Sequence, residues 1–211
     1  IAGAAEGVFA NQGEACVAGS RLFVQEEVFD EVVAGVAEVA RSLKVGDGFA
    51  PDTQIGPLIS AEHLERVTGY VEAGRKDGAT VVAGGERCGD RGYFVAPTVF
   101  SDVRPDMSIV REEIFGPVVA AIPFKDIDDL LPAANDTRYG LAAGVWTRDI
   151  SKAHRVAAAI KAGTVWINCY SVFDASMPFG GYKESGWGRE MGLEVLYEYT
   201  ETKTVCVRLT D

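Results

Sequence analysis

The chain has 211 residues, 47% of them hydrophobic, and a formal net charge of −11 from 31 acidic and 20 basic side chains. That length and apolar content are enough for one substantial soluble core, so one main folding unit is the default reading. The basic residues are scattered and no apolar run approaches the roughly 20 residues that span a bilayer, which argues against nucleic-acid and membrane partners and for a small-molecule one.

In chain order, Ile1, Ala4, Ala5, Val8 and Phe9 lie on one face of a predicted helix, and the absence of Met at the start reads as a chain cut from something longer. Next comes Cys16, inside the segment Asn11-Gln12-Gly13-Glu14-Ala15-Cys16-Val17-Ala18-Gly19-Ser20-Arg21. A free cysteine is ordinarily a small buried hydrophobe. Here Gly13, Ala15, Ala18 and Gly19 form a collar of small residues that lets the backbone turn tightly and a substrate approach the sulfur. Polar neighbours on both sides strengthen the reading of Cys16 as a nucleophile. The other cysteines, Cys88, Cys169 and Cys206, show no CxxC spacing, which argues against a zinc site or a disulfide framework and for a reducing, cytoplasmic compartment. No signal peptide is recognised.

Residues 22–24 predict a short buried strand, and Val28, Phe29, Val32, Val33, Val36, Val39, Ala40 and Leu43 then recur at helical spacing up to Gly46. Ser60 is a candidate N-cap for a second helix that places Leu64, Val67 and Val71 on one face and ends near Gly78. Val81 and Val82 resume strand character. Residues 93–100 are extended, but Pro97 argues against a central strand, whereas 118–122 reads as a better one. Residues 126–134 have helical composition that Pro132 should kink or shorten. A strand over 142–147 precedes a helix capped by Asp149, with Ile150, Ala153, Val156, Ala157 and Ile160 inward and Gly163 as its stop. Residues 164–167 then re-enter the sheet. This alternation predicts an α/β domain with a mostly parallel sheet flanked by helices. Residues 202–209 alternate apolar Val205, Val207 and Leu209 with Cys206 and Arg208, a terminal strand that either joins another subunit's sheet or closes its own.

Two further segments carry candidate chemistry. In Arg111-Glu112-Glu113-Ile114-Phe115-Gly116-Pro117, neighbouring residues of an extended backbone point to opposite faces, so only one of Glu112 and Glu113 can address a given pocket. The glycine-rich stretch 178–190, preceded by Tyr170 and Phe173, lacks the ending of a phosphate loop and does not open a helix as a dinucleotide fingerprint would. His63 and His154 are the only candidates for a Cys-His hydrolase, and both read as ordinary surface or packed histidines.

Taken together, the cysteine segment, Glu-Glu-Ile-Phe-Gly-Pro-Val (112–118), Asn-Asp-Thr-Arg-Tyr-Gly-Leu-Ala-Ala (135–143), Ala-Gly-Thr-Val-Trp-Ile-Asn (162–168) and Pro-Phe-Gly-Gly-Tyr-Lys-Glu-Ser-Gly (178–186) resemble the NAD(P)-dependent aldehyde dehydrogenase superfamily, in the family's order and over essentially the whole chain. The resemblance implies that Cys16 is the nucleophile, forming a thiohemiacetal and then a thioester, with its backbone N–H as half of an oxyanion hole. It implies that Glu113 holds the nicotinamide ribose of NAD or NADP and that Phe115 packs near the nicotinamide. Ala15, Val17, Phe173 and Phe179 match the substrate tunnel, which favours an apolar or aromatic aldehyde. Glu190 matches a carboxylate used by some members in proton relay, with a structural salt bridge as the equal alternative; Lys183 reads as structural.

The family's general base, second oxyanion donor and dinucleotide-binding domain all lie upstream in its pattern and are not in this sequence. The chain therefore resembles the C-terminal, catalytic portion: residues 1–199 as catalytic domain and 200–211 as an oligomerisation strand of a homodimer or homotetramer, inactive by itself. Two alternatives remain on the sequence. One is a CoA-acylating semialdehyde dehydrogenase, which lacks the upstream base; the other is a non-catalytic structural relative, against which Cys16 and Glu113 weigh.

Overall fold

Two sheets, rather than the single one expected, organise the computed structural model, which describes residues 1–209; Thr210 and Asp211 lie outside the described residues. Strands β1 (Arg21–Gln25), β2 (Thr80–Ala83), β3 (Thr98–Ser101) and β4 (Val118–Phe124) form the larger sheet in the order β1-β4-β3-β2. β1 and β3 run parallel to β4, and β2 is antiparallel to β3 at the far edge. Strands β5 (Ala142–Val145) and β6 (Thr164–Ile167) pair in parallel as a separate ribbon.

The period-two alternation of strand side chains divides the large sheet's core between two faces. On one face Val99, Val119 and Ala121 pack with Ala5, Val8 and Phe9 of α1 (Ala2–Phe9) and with Val33, Val36, Ala37 and Ala40 of α2 (Phe29–Ser42). On the other, Phe100 and Val118 pack with Leu64, Val67 and Val71 of α3 (Ala61–Lys76) and with Ile109 of the short α4 (Ser108–Arg111). Each buried Val, Leu, Ile or Phe among these stabilises the fold by roughly 1.5–3 kcal/mol. The helical spacings read from the sequence are thus the faces that α2 and α3 bury.

Helix ends follow their local chemistry. The Ser60 hydroxyl accepts from the His63 N–H, and at the other end of α3 Gly78 has φ +95°. There the Gly78 N–H bonds to the Arg75 carbonyl and the Ala79 N–H to the Gly74 carbonyl, the pair of bonds that closes a Schellman motif. Asp126 caps α5 (Ile127–Asn135) through the N–H groups of Asp128 and Asp129, and Asp149 caps α6 (Ile150–Ala159) through those of Ser151 and Lys152.

Several local expectations need correction. Residues 98–101 are an interior strand: Pro97 precedes the first paired residue, so its missing N–H removes no ladder bond. Helix α5 runs through Pro132 and ends three residues beyond it. Helix α6 ends at Ala159 with Ile160 already extended, so Gly163 is not its stop; a Cβ on Gly163 would lie 1.7 Å from the Gly180 carbonyl oxygen, and close approach is what demands glycine there. Ile150 is 64% exposed rather than inward, leaving Ala153 and Val156 as the buried residues of that helix. Of the two readings of residues 202–209, closure of the chain's own sheet is not found: residues 201–209 form no strand within the chain and are exposed, beyond the short α7 (Val195–Glu198). Leu22 and Phe23 of β1 are half-buried, with Val24 alone buried. Among the described residues no helix is long and apolar enough to cross a membrane.

Candidate active site

The sequence just before Cys16 turns sharply because three successive residues take left-handed backbone: Asn11 (φ 51°), Gln12 (φ 58°) and Gly13 (φ 69°). Each non-glycine residue held there costs about 1–3 kcal/mol, and such strain collects at functional sites. The Asn11 side chain offsets part of it by donating to the Glu14 carbonyl at 2.8 Å. A Cβ on Gly13 would lie 2.2 Å from the Gly116 carbonyl oxygen, so glycine is what lets this segment lie against the Gly116-Pro117 turn that leads into β4.

The far side of the cysteine is fixed as firmly. The Gly19 N–H donates to the Gly7 carbonyl of α1 at 2.8 Å, and the Tyr170 hydroxyl donates to the Val17 carbonyl at 2.6 Å. Tyr170 lies against Gly7 and Gly144, stacked on Trp146 at 5.8 Å between ring centroids and tilted against Trp166 at 4.8 Å. Burial pushes its hydroxyl pKa up to about 12, so the group stays a neutral donor. Between these anchors Ala15 to Ala18 make one turn, closed by the Ala18 N–H on the Ala15 carbonyl. Cys16 projects from it exposed, as a free thiol, and its N–H makes no hydrogen bond among the described residues.

Cys16 lies on a groove of about 1030 Å³ that runs between the open edges of β1 and β5. Ala15, Val17, Glu113 and Phe115 line the same groove, so the structure brings together five of the eight residues singled out in the sequence. Phe115 has φ +61° and is 36% exposed. The carboxylate of Glu113 has no hydrogen bond or ion pair among the described residues, whereas that of Glu112 accepts from the Tyr70 hydroxyl at 2.7 Å. Both carboxylates line the groove, contrary to the expectation that only one would face it; they differ in that Glu112 is tied to Tyr70 while Glu113 is unpaired among the described residues. An aromatic face and an unpaired carboxylate beside an exposed thiol suit a nucleotide whose ribose offers hydroxyl donors.

The other three residues lie outside that groove's lining. Phe173 and Phe179 meet edge to face at 5.4 Å, and Phe173 meets Trp166 at 5.5 Å, so an aromatic chain continues from Tyr170 to Phe179. Glu190 is paired through its backbone with Phe179, by bonds of 2.7 and 2.8 Å, and its exposed carboxylate makes no ion pair among the described residues. A structural salt bridge for Glu190 is therefore not found. Lys183 donates to the carbonyls of Asn135 and Thr137 at 2.8 Å, and Arg21 to that of Ala134 at 2.9 Å, so both cations satisfy the end of α5.

Sequence reasoning missed two connections. His63, expected as an ordinary histidine, has its Nε2 2.6 Å from the Phe115 carbonyl oxygen and 3.4 Å from Glu14 Oε1, which also accepts from the Ile59 N–H at 3.0 Å. A carbonyl can only accept, so the Nε2–H form is the one present. Tyr170 was visible as an aromatic after a strand, but nothing in the sequence pairs it with a carbonyl 153 residues away.

A sequence model of the aldehyde dehydrogenase family matches residues 1–205. The chain is 54% identical over 211 residues to the putative aldehyde dehydrogenase DhaS of Bacillus subtilis (strain 168), covering 100% of this chain and 43% of that protein. It is 50% identical over 203 residues to aldehyde dehydrogenase 1A1 of Gallus gallus, covering 96% and 40% respectively. Among solved structures, the NAD+ complex of an aldehyde dehydrogenase from Bacillus cereus superposes with a TM-score of 0.96 at 51% identity, over 99% of this chain and 43% of that one. The chain thus spans about two fifths of the length of these relatives.

Proposed function

The chain belongs to the aldehyde dehydrogenase family, and on that premise we propose that its full-length protein oxidises an aldehyde to a carboxylic acid with NAD or NADP, using Cys16 as nucleophile. The observation that carries this reading is the exposed Cys16 thiol on one groove with the unpaired Glu113 and the exposed Phe115. The Bacillus cereus relative was solved with NAD+, which favours that nucleotide.

Cys16 Sγ, as thiolate, attacks the aldehyde carbon, and the carbonyl oxygen takes up the electron pair. The unengaged Cys16 N–H is the donor within this chain for that oxyanion. When bound, the nicotinamide supplies the acceptor for the hydride that leaves the former aldehyde carbon. A thioester on Cys16 results; water adds to it, the C–S bond breaks, the acid leaves and the thiol returns. Glu113 accepts from ribose hydroxyls and Phe115 packs beside the nicotinamide, so that the carbon on sulfur and the hydride acceptor are held in line. Ala15 and Val17 wall the groove at the thiol for an apolar or aromatic aldehyde, while Phe173 and Phe179 as substrate wall and Glu190 as proton-relay carboxylate, all outside that groove's lining, rest on the family resemblance. The residue that activates water and most of the nucleotide site belong to the remainder of the protein, so the 211 residues alone do not turn over. Alternating Val205, Val207 and Leu209, all at least 72% exposed, suit a strand completed against a second copy in a homodimer or homotetramer.

Cys16→Ala in the full-length protein tests the assignment by aldehyde-dependent NADH absorbance. A loss of about 1000-fold or more in kcat is expected, with dinucleotide binding retained. Activity within about ten-fold of the parent would place the nucleophile elsewhere.

A further inference from the structure

Helix α3 presents a second stripe besides its buried apolar one. His63, Arg66 and Tyr70 are spaced i, i+3 and i+7, which puts them on one face. All three reach the loop that carries Glu113: Tyr70 donates to the Glu112 carboxylate at 2.7 Å, Arg66 Nη2 donates to the Glu113 carbonyl at 2.5 Å, and His63 Nε2 donates to the Phe115 carbonyl at 2.6 Å. The guanidinium of Arg66 also lies over the Tyr70 ring, 5.3 Å from its centroid. Three successive polar groups of the loop are therefore held by three successive turns of one helix, while Ile114 between them is buried in the core.

We propose that His63, Arg66 and Tyr70 are positioning residues that fix the Glu112–Phe115 loop so that the Phe115 ring and the Glu113 carboxylate are presented to the dinucleotide while the Glu112 carboxylate is held by Tyr70. The assignment rests on the reading of Glu113 and Phe115 as dinucleotide-binding residues. Tyr70 ties up the carboxylate of Glu112, which lines the same groove, and so leaves that of Glu113 as the unpaired one. Arg66 fixes the peptide of Glu113, leaving its side chain free. His63 secures Phe115 in a left-handed conformation that a phenylalanine does not adopt unaided. Through Glu14 Oε1 at 3.4 Å, His63 also joins this loop to the cysteine segment two residues before Cys16. The imidazole and its partner carboxylate are both largely covered, with side-chain exposures of 14% and 12%, so the connection is shielded from competing water.

The test uses the full-length protein and NAD+, comparing His63→Leu, His63→Gln and Tyr70→Phe by steady-state kinetics, NAD+ binding fluorescence and thermal unfolding. His63→Leu removes the donor at similar volume; His63→Gln restores an N–H at nearly the reach of Nε2. For His63→Leu the account expects KM and Kd for NAD+ to rise about ten-fold, with a smaller change in kcat. His63→Gln returns both to within about two- to three-fold of the parent. Tyr70→Phe keeps the ring and frees Glu112, and raises KM for NAD+ several-fold; it decides the matter if His63→Leu does not fold. Unchanged NAD+ binding in a folded His63→Leu or in Tyr70→Phe overturns the proposal, as does equal impairment of His63→Leu and His63→Gln. If Cys16→Ala abolishes turnover while these variants bind NAD+ normally, the positioning role fails and the catalytic reading stands. A Cys16→Ala protein that still turns over fails the catalytic reading instead.

Discussion

At the scale of single residues, the thiol is placed by its neighbours and not by its own contacts. Gly13 permits contact with the Gly116 carbonyl, Gly19 hydrogen-bonds to α1, and Tyr170 reaches from beyond β6 to hold the Val17 carbonyl. Tyr170 has a titration consequence. Its pKa is raised from roughly 10 in the unfolded chain to about 12 in the fold by burial. A group whose folded pKa is raised contributes stability that is complete below the unfolded value and is lost as pH climbs from about 10 towards 12. Denaturant unfolding of the parent and of Tyr170→Phe at about pH 9 and pH 11 checks this: the parent loses on the order of 1 kcal/mol more than the variant across that interval. Parallel pH dependences would show that the hydroxyl is not buried in the native state. At neutral pH the variant is less stable by about 1 kcal/mol, since the Val17 carbonyl loses its donor.

Elements show how far a sequence carries and where it stops. Helices α2 and α3, their buried stripes, the caps at Ser60 and Asp149, and strands β1, β4 and β6 follow from periodicity and capping chemistry, all properties of nearby residues. The misreadings have a common physical cause: each depends on what lies across space. Pro97 was judged by its missing donor, although the paired residues begin only after it. Gly163 was judged as a helix stop, although the carbonyl of Gly180 is what it accommodates. The polar stripe of α3 escaped notice because its acceptors are 42 to 52 residues away. Gly163→Ala separates the two roles of that glycine. A mere helix stop would cost about 1 kcal/mol or less on replacement, whereas a Cβ 1.7 Å from the Gly180 oxygen forces the glycine-rich loop off β6. A loss of about 3 kcal/mol or more, or failure to fold, is therefore expected in thermal or denaturant unfolding.

At the scale of the whole molecule, the proposed function gives the chain one wall of a reaction site. The groove carrying Cys16 lies between two sheets whose facing strands, β1 and β5, each have an unpaired edge, and unpaired edges invite a further chain. With a span of about two fifths of its relatives' length, the chain supplies in this account the nucleophile, an oxyanion N–H, the ribose carboxylate and part of the substrate wall. Candidate residues were legible in the sequence because local patterns mark them: a collar of small residues, a carboxylate pair before a Gly-Pro turn, aromatics after a strand. Their arrangement was not, since it depends on left-handed backbone at Asn11, Gln12 and Phe115 and on side chains reaching across the fold.

The most direct test of the central assignment is mass spectrometry of the full-length protein, quenched with acid during the first turnover with NAD+ and an aromatic aldehyde. Within the 211 residues Cys16 is the one cysteine before Arg21, so a tryptic cut there separates it from Cys88, Cys169 and Cys206, and fragment-ion sequencing of that peptide places the modification on a single residue. The account predicts an acyl group, attached as a thioester, on the peptide ending at Arg21. NADH accumulating with that peptide unmodified and the acyl group on another residue would contradict it.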